Sequence, residues 1–307
     1  MTKPTLVAVV GPTAVGKTKT SIELAKTFAG EIVNCDSMQI YREMDIGTAK
    51  IKPDEMEGIP HHLFDICMPD EEYSVAEYQH DANEVIDEIH GRNHLPIMVG
   101  GTGLYVRAVA HNYQFDETPR NPDYREELEK YVDDCGADAL HDRLTKVDSE
   151  RAKQIHPNNT RRVIRALEIF QMTGSAFSSK HEPESPFNLA LVGLTMERDL
   201  LYERINHRVD LMVEEGLFDE VKKLYEANIQ NTQSVQAIGY KEIYRYFDGG
   251  YSREKAIETL KRNSRRYAKR QLTWFRHQLD VEWFDMTTTP DEKIPSILRF
   301  VAGKLSL

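Results

Sequence analysis

Eight residues near the start of the chain, Gly11-Pro12-Thr13-Ala14-Val15-Gly16-Lys17-Thr18, constrain the fold more than any other stretch. They follow a short apolar run, Leu6 to Val10. They precede a pattern from Lys17 to Phe28 in which Ile22, Leu24, Ala25 and Phe28 fall near helical spacing. Strand, loop and helix in that order, with the spacing G-x-x-x-x-G-K-[ST], make a phosphate-binding loop. Its glycines let the backbone curl, so that successive N–H groups and the positive end of the helix face one anion. Lys17 adds a full positive charge, and the Thr18 hydroxyl is placed to bind Mg2+.

The next segments repeat the alternation. Glu31–Cys35 reads as a second strand that ends at Asp36-Ser37, with Gly30 as the stop of the first helix. Ser74-Val75-Ala76-Glu77 is a capping box that opens a helix to about His90, closed by Gly91. Leu95–Val99 is a third strand and empties into Gly100-Gly101-Thr102-Gly103. The expected fold is α/β, a P-loop NTPase-like parallel sheet flanked by helices. Ligands of such sheets sit beyond the carboxyl ends of the strands, and all three loops fall there. From Tyr113 to Phe187 the pattern turns charged and helical, punctuated by Pro119, Pro122, Pro157, Pro183 and Pro186. We read residues 113–187 as a helical insertion domain in a core formed by 1–112 and 188–307. Asn188–Leu194 is expected as a returning strand, Asp199–Glu215 as a helix stopped by Gly216, Ser252 to about Gln278 as a long helix, and Val281–Phe284 as a last strand.

Composition narrows the setting. Cys35, Cys67 and Cys135 are far apart, which gives neither a disulfide framework nor a zinc pattern and points to a reducing, cytoplasmic location. No apolar stretch approaches the roughly 18 residues of a membrane span. The adjacent His61-His62, with Asp65 and Cys67 nearby, read as a loop or strand start, since neighbouring side chains on a strand point apart. A net charge of −11 argues against a surface that is basic throughout. One window, Lys261 to Arg276, nevertheless contains many cations and no acid. On a helix Arg262, Arg266 and Lys269 share a side, with Tyr267, Trp274 and Phe275 interleaved, a mixture suited to phosphate contact and base stacking. A solvated helix with its aromatics packed inward has the same pattern. Arg161, Arg162 and Arg165 form a second basic cluster.

Chemistry follows from what ends each strand. Hydrolytic motors carry a metal-binding aspartate at the end of a neighbouring strand, where this chain has Gly-Gly-Thr-Gly. A transferase acting on a small diphosphate or a nucleotide fits better. Asp36, just past the second strand, is placed to take a proton or bind Mg2+, and equally to serve as a turn aspartate. Thr102 between glycines leaves room for a ligand, or marks a tight turn. A small-molecule kinase and a nucleotide-dependent RNA switch stay open on these residues alone.

Longer blocks go further. The phosphate loop, Asn34-Cys35-Asp36-Ser37-Met38-Gln39-Ile40-Tyr41-Arg42, Met44–Lys50, Val99–Tyr105, Asn159–Glu168 and Ala237–Glu242 together resemble the tRNA dimethylallyltransferase (IPP transferase) family, in the family's order and over most of the chain. The eukaryotic members' C-terminal zinc finger has no counterpart, so the resemblance is to the bacterial form. It implies that the loop Gly11–Thr18 grips the diphosphate of dimethylallyl diphosphate, whatever ATP label such a motif attracts, with Thr13, Lys17 and Thr18 in contact and Mg2+ as cofactor. The implied acceptor is N6 of adenine 37, beside the anticodon in the stem-loop of tRNA. Asp36 is the implied general base, with Lys17, Thr102 and Arg208 also in the catalytic set. Asp36, Ser37, Met38 and Gln39, then Thr160, Arg161, Arg162, Val163 and Ile164, then Ala237, Ile238, Gly239, Tyr240, Lys241 and Glu242 are the implied tRNA contacts. A monomer, with no membrane partner, is expected.

Overall fold

The computed structural model describes residues 3–113, 115, 121–174, 184–288 and 290–307; Pro119 and Pro183 lie outside them. The chain opens with β1 (Thr5–Val10), α1 (Lys17–Phe28), β2 (Gly30–Asn34), β3 (His61–His62), α2 (Val75–Gly91), β4 (Leu95–Gly100) and α3 (Gly103–Ala110). Next come α4 (Pro122–Cys135), α5 (Ala137–Val147), α6 (Ser149–Gln154) and α7 (Thr160–Thr173). It closes with β5 (Asn188–Thr195), α8 (Arg198–Glu214), α9 (Leu217–Glu226), α10 (Tyr240–Phe247), α11 (Arg253–Gln278), β6 (Glu282–Asp285) and α12 (Pro290–Leu305).

The continuous apolar run of β1 is explained by a sheet covered on both faces. Val7 and Val9 pack with Leu24 of α1 and Ile297 and Val301 of α12. Leu6, Ala8 and Val10 point the other way, onto Tyr78 and Ile86 of α2 and Val106 of α3. Each such fully buried aliphatic side chain contributes about 1.5–3 kcal/mol of transfer free energy. The strands lie in the order β3-β2-β4-β1-β5-β6, every neighbouring pair parallel. Val10 pairs with Gly100, and Asn34 with Val99. The carboxyl ends of β2, β4 and β1 therefore finish nearly level and side by side, and their three loops emerge together.

Two local expectations need correction. Helix α1 ends at Ala29, left-handed at φ 48°, whose N–H reaches the Ala25 carbonyl. Gly30 instead opens β2, where a Cβ would come 2.6 Å from Ile97 Cδ1. Gly91 is the last residue of α2, and Arg92 caps it through the Glu88 carbonyl. The Ser74–Glu77 capping box has both of its bonds.

The chain divides into two compact units, Met1–Tyr113 with Pro183–Leu307, and Gln114–Glu182. Pro186 and Phe187 thus belong to the sheet unit, not to the insertion. In that unit α8–α11 add a further core around Val209, Leu217, Phe218, Val221, Tyr240 and Leu260. The second unit packs α4–α7 on Leu128, Leu140, Leu144, Val163, Ile164 and Leu167. Its buried Glu168 accepts from Arg125 at 2.7 and 2.8 Å, from Arg165 at 2.5 Å and from the Asn121 N–H at 2.7 Å. Burial alone would push this carboxyl up; those donors outweigh it and hold it down at about 2. Arg165 is therefore tied inward and leaves the expected basic cluster, whereas Arg161 and Arg162 are exposed. Among the described residues no helix is long and apolar enough to cross a membrane. All three cysteines are free.

Candidate active site

The phosphate loop leaves β1 at Gly11, where φ is +146° and a Cβ would sit 2.5 Å from the Leu194 carbonyl oxygen. Ala14, at φ 65°, adopts a left-handed conformation that costs an L-residue about 1–2 kcal/mol and persists only where its surroundings enforce it. Gly16 at the N-cap of α1 provides no side-chain cap. The first amides of α1 are left for an anion, as the sequence pattern requires. Lys17 folds back, its Nζ donating to the carbonyls of Gly11 at 3.1 Å and Pro12 at 2.8 Å. Burial lowers its pKa to about 8, with Asp36 opposing the shift and Arg208 adding to it. Arg208, on α8, donates to Thr13 Oγ1 at 3.1 Å and is itself lowered by burial.

Asp36 is positioned by its neighbour on the strand. Asn34 accepts the Asp36 N–H at 3.0 Å and donates from Nδ2 to the Asp36 and Leu63 carbonyls at 3.2 and 3.0 Å. The Asp36 carboxylate accepts from the Met38 N–H at 2.9 Å, so it does form a turn. Its pKa is nevertheless raised: burial outweighs the Met38 amide, the Lys17 charge and the Gln39 amide. A carboxylate in that condition is a stronger base than one in water.

The Gly-Gly-Thr-Gly loop departs from its expectation. A Cβ on Gly100 would meet the Cys35 carbonyl oxygen at 2.1 Å, one on Gly101 the Gln271 Nε2 at 2.0 Å, and one on Gly103 the Trp274 ring at 2.1 Å. The room beside Thr102 is filled by the protein itself. Thr102 serves the neighbouring loop: its N–H donates to the Cys35 carbonyl at 3.1 Å, and its Oγ1 accepts the Ser37 N–H at 3.0 Å. Tyr267 of α11, its hydroxyl pKa raised mainly by burial, stands near Thr102 and Gln271.

Sequence reasoning missed Gln271. Its Oε1 accepts the Thr13 N–H at 3.1 Å and its Nε2 donates to the Gly101 carbonyl at 3.0 Å, so one buried amide ties the phosphate loop to the end of β4. Nothing in its spacing announced this, although it lies in the cationic window.

These groups face one cavity of about 650 Å3. Thr13, Lys17, Thr18, Asp36, Arg208 and Gln271 line its polar part; Ile205, Val209, Met212, Ile238 and Leu260 line an apolar wall. Ser37, Met38, Gln39 and Ala237 also border it. The wall formed by Gly47, Thr48 and Ala49 is held from behind. Glu220 of α9 accepts the N–H groups of Asp45, Ile46 and Gly47 at 2.9, 2.7 and 2.9 Å, and the Tyr240 hydroxyl at 2.6 Å. Gly47 has no side chain because the Tyr240 ring stands 2.6 Å from where a Cβ would be.

Several expected tRNA contacts have their side chains inside the protein. Tyr240 is fully buried against that wall, and Glu242 is buried, accepting from the Gly239 N–H and Asn263 Nδ2, each at 2.7 Å. They can act as supports, and Lys241, half-buried, is the polar side chain of that helix start left nearer solvent. Val163 and Ile164 belong to the core of the second unit, whereas Arg161 and Arg162 are exposed and Thr160 is half-buried. On α11 Phe275 is fully buried, so it does not stack on a base as the window suggested.

Comparison with known proteins shows the family. A family model described as IPP transferase matches residues 39–278. The chain is similar to a protein named tRNA dimethylallyltransferase from Halalkalibacterium halodurans, 60% identical over 99% of this chain and 98% of that one. It is also similar to the crystal structure of a full-length tRNA isopentenylpyrophosphate transferase from Bacillus halodurans, at 60% identity and a TM-score of 0.78, covering 99% of this chain and 97% of that one. A eukaryotic dimethylallyltransferase acting on tRNA is similar at 32% identity and a TM-score of 0.82, over 97% of this chain and 78% of that one.

Proposed function

The chain belongs to the IPP transferase family, and from that premise we propose that it moves a dimethylallyl group from dimethylallyl diphosphate to N6 of the adenine at position 37 of tRNA, next to the anticodon, releasing diphosphate. The observation that carries the reading is the single cavity onto which both Lys17 and Asp36 open.

The exocyclic amine of adenine is a poor nucleophile because its lone pair is delocalised into the ring. Asp36, with its basicity raised by burial, takes the N6 proton as the C–N bond forms. On the other side of the allylic carbon the C–O bond breaks, and negative charge grows on the departing diphosphate. Lys17, Arg208, the Thr13 and Thr18 hydroxyls and the amides at the start of α1 are placed to receive that charge. The apolar wall keeps water from the allylic centre, where it would compete with the amine. The target base leaves its stack to enter the cavity, which a loop permits more cheaply than a duplex.

The donor set fits Mg2+ held chiefly by the substrate. Asp36 is the one acid bordering the cavity among the described residues, and Thr18 offers a hydroxyl at its lip. An ion that keeps several waters and binds through diphosphate oxygens asks for little more. When bound, Mg2+ supplies charge neutralisation to the leaving diphosphate. The segments 36–39, 160–162 and 237–242 are proposed to meet the tRNA, the last partly through the supports Tyr240 and Glu242. The reading is of a monomer acting in the cytoplasm, where its tRNA acceptor is met.

The test is direct. Purified protein, Mg2+, dimethylallyl diphosphate and unmodified tRNA should give prenylated adenosine on nucleoside mass spectrometry, and Asp36→Ala should give none. A fully active Asp36→Ala would remove that residue as the base.

A further inference from the structure

Glu220, in the first turn of α9, directs both of its oxygens at one wall of the cavity. Its Oε2 accepts the Asp45 and Ile46 N–H groups at 2.9 and 2.7 Å, and its Oε1 the Gly47 N–H at 2.9 Å and the Tyr240 hydroxyl at 2.6 Å. Three successive amides converging on one carboxylate make an anion nest with charge-assisted bonds, and here the protein supplies the anion. The segment requires such a hold. Glu43 and Ala49, on its two sides, are left-handed at φ 61° and 51°, which an L-residue keeps only where its surroundings enforce it.

The wall in turn sets a side chain beside the chemistry. Gln39 donates from Nε2 to the Thr48 and Ala49 carbonyls at 3.0 and 3.2 Å. With those donors committed, what Gln39 brings to the cavity it borders is an amide oxygen, an acceptor that suits an exocyclic amine and not a ring carbonyl. Its backbone amide and that of Met38 also stand against the Asp36 carboxylate, where they oppose the effect of burial. A shift of the wall therefore moves Gln39, and with it the general base. None of these bonds involves the phosphate loop.

We propose that Glu220 is a positioning residue for transfer, acting through the wall 45–49 and Gln39 to hold Asp36 and the adenine amine in register. The proposal rests on the reading of Asp36 as base and adenine as acceptor, and it gives Glu220 no contact with either substrate. Helix α9 stays packed without that carboxylate, because Leu217, Phe218, Val221 and Leu224 are buried in the core. Lys50 ties the same loop to the Tyr41 carbonyl at 2.7 Å and to Asp65 at 2.6 Å. A variant at Glu220 therefore folds, with its wall displaced.

The experiment measures single-turnover transfer with enzyme in excess over unmodified tRNA, beside calorimetric binding of dimethylallyl diphosphate. Glu220→Gln keeps the shape but sets amide protons against the N–H groups of the wall. It should slow the turnover about 10- to 100-fold and hold the donor within about twofold of the wild-type Kd. Gln39→Met keeps the bulk, loses the amide and should slow the turnover comparably. The two together should be slower than the slower single variant by no more than about threefold, because both act on one path. Asp219→Asn removes the neighbouring charge from the same turn of α9 and should react as the wild type does. The proposal is overturned if Glu220→Gln lowers only the urea midpoint and turns over at the wild-type rate. It is equally overturned if its loss multiplies with that of Gln39→Met, if donor affinity falls in step with the rate, or if Asp219→Asn costs as much. A wild type that yields no prenylated adenosine removes the transfer reading and this role with it. An active wild type beside an unaffected Glu220→Gln removes this role alone.

Discussion

Strand β2 carries Glu31 near its start, and Asp36 follows just beyond its end; the fold treats these two acids in opposite ways. Glu31 has a side chain only 3% exposed, yet it is surrounded by donors. Arg92 grips both its oxygens at 2.9 Å, and His62 and His94 stand at 2.6 and 2.7 Å. The Arg92 hydrogen bonds lead in outweighing burial, and the carboxyl is held at about 2. Asp36 has two backbone amides and a lysine that is itself desolvated, and burial wins. One acid is fully compensated and faces no cavity of the described kind; the other is under-compensated and opens onto one. Full compensation anchors a sheet, whereas partial compensation beside a cavity leaves a group whose affinity for a proton can be used.

The largest effect should come from exchanging what each acid has lost. Asp36→Asn should slow transfer by about 10²- to 10⁴-fold, the range for a general base, with an unfolding midpoint near that of wild type. Glu31→Gln should do the reverse. It leaves the exposed Arg92 without its ionic partner and sets a neutral amide among three donors, so urea unfolding should show a loss of about 1–3 kcal/mol with kcat of the folded enzyme nearly unchanged. The sign of its pH dependence follows from a folded pKa below the ordinary 4.5. The stability Glu31 contributes is whole above that value and fades as pH falls toward about 2, so the gap between wild type and Glu31→Gln should close in acid. If Glu31→Gln abolished transfer in a folded protein, the division between the two acids would break down.

Titration sharpens the same contrast with a smaller effect. Lys17 loses its charge as pH rises through about 8, so kcat/KM should fall on that limb. The fall approaches about tenfold per pH unit, and Lys17→Arg should remove the limb. Asp36 must be ionised to act, and its pKa is raised, so the acid limb should lie above the usual carboxylate range. Smallest is Gln271→Leu. It strands the Thr13 N–H and the Gly101 carbonyl, and KM for dimethylallyl diphosphate should rise about tenfold, equivalent to about 1–2 kcal/mol.

Local signals in the sequence were legible where they had a fixed spacing. The phosphate loop, the apolar run of β1 and the Ser74–Glu77 box each specify their own backbone within a few residues, and the parallel sheet then aligns the loops. The shared cavity followed from that alignment. Gln271 was not legible, because its partners are 258 and 170 residues away and an isolated glutamine on a basic helix has no period. The glycines at 100, 101 and 103 signalled close approach, but not that Cys35, Gln271 and Trp274 would be what approached. Tyr240 lies in the block Ala237–Glu242, and nothing in that block showed that its side chain would be buried behind the cavity wall.

Single-turnover kinetics with enzyme in excess over tRNA, read beside calorimetric binding of dimethylallyl diphosphate, tests the division of labour most directly. Asp36→Asn should hold the donor within about threefold of the wild-type Kd while its single-turnover rate drops at least about a hundredfold; Lys17→Ala should lose donor affinity first. An Asp36→Asn enzyme that turns over at the wild-type rate, or that fails only because it no longer binds the diphosphate, would contradict the role given to that carboxylate.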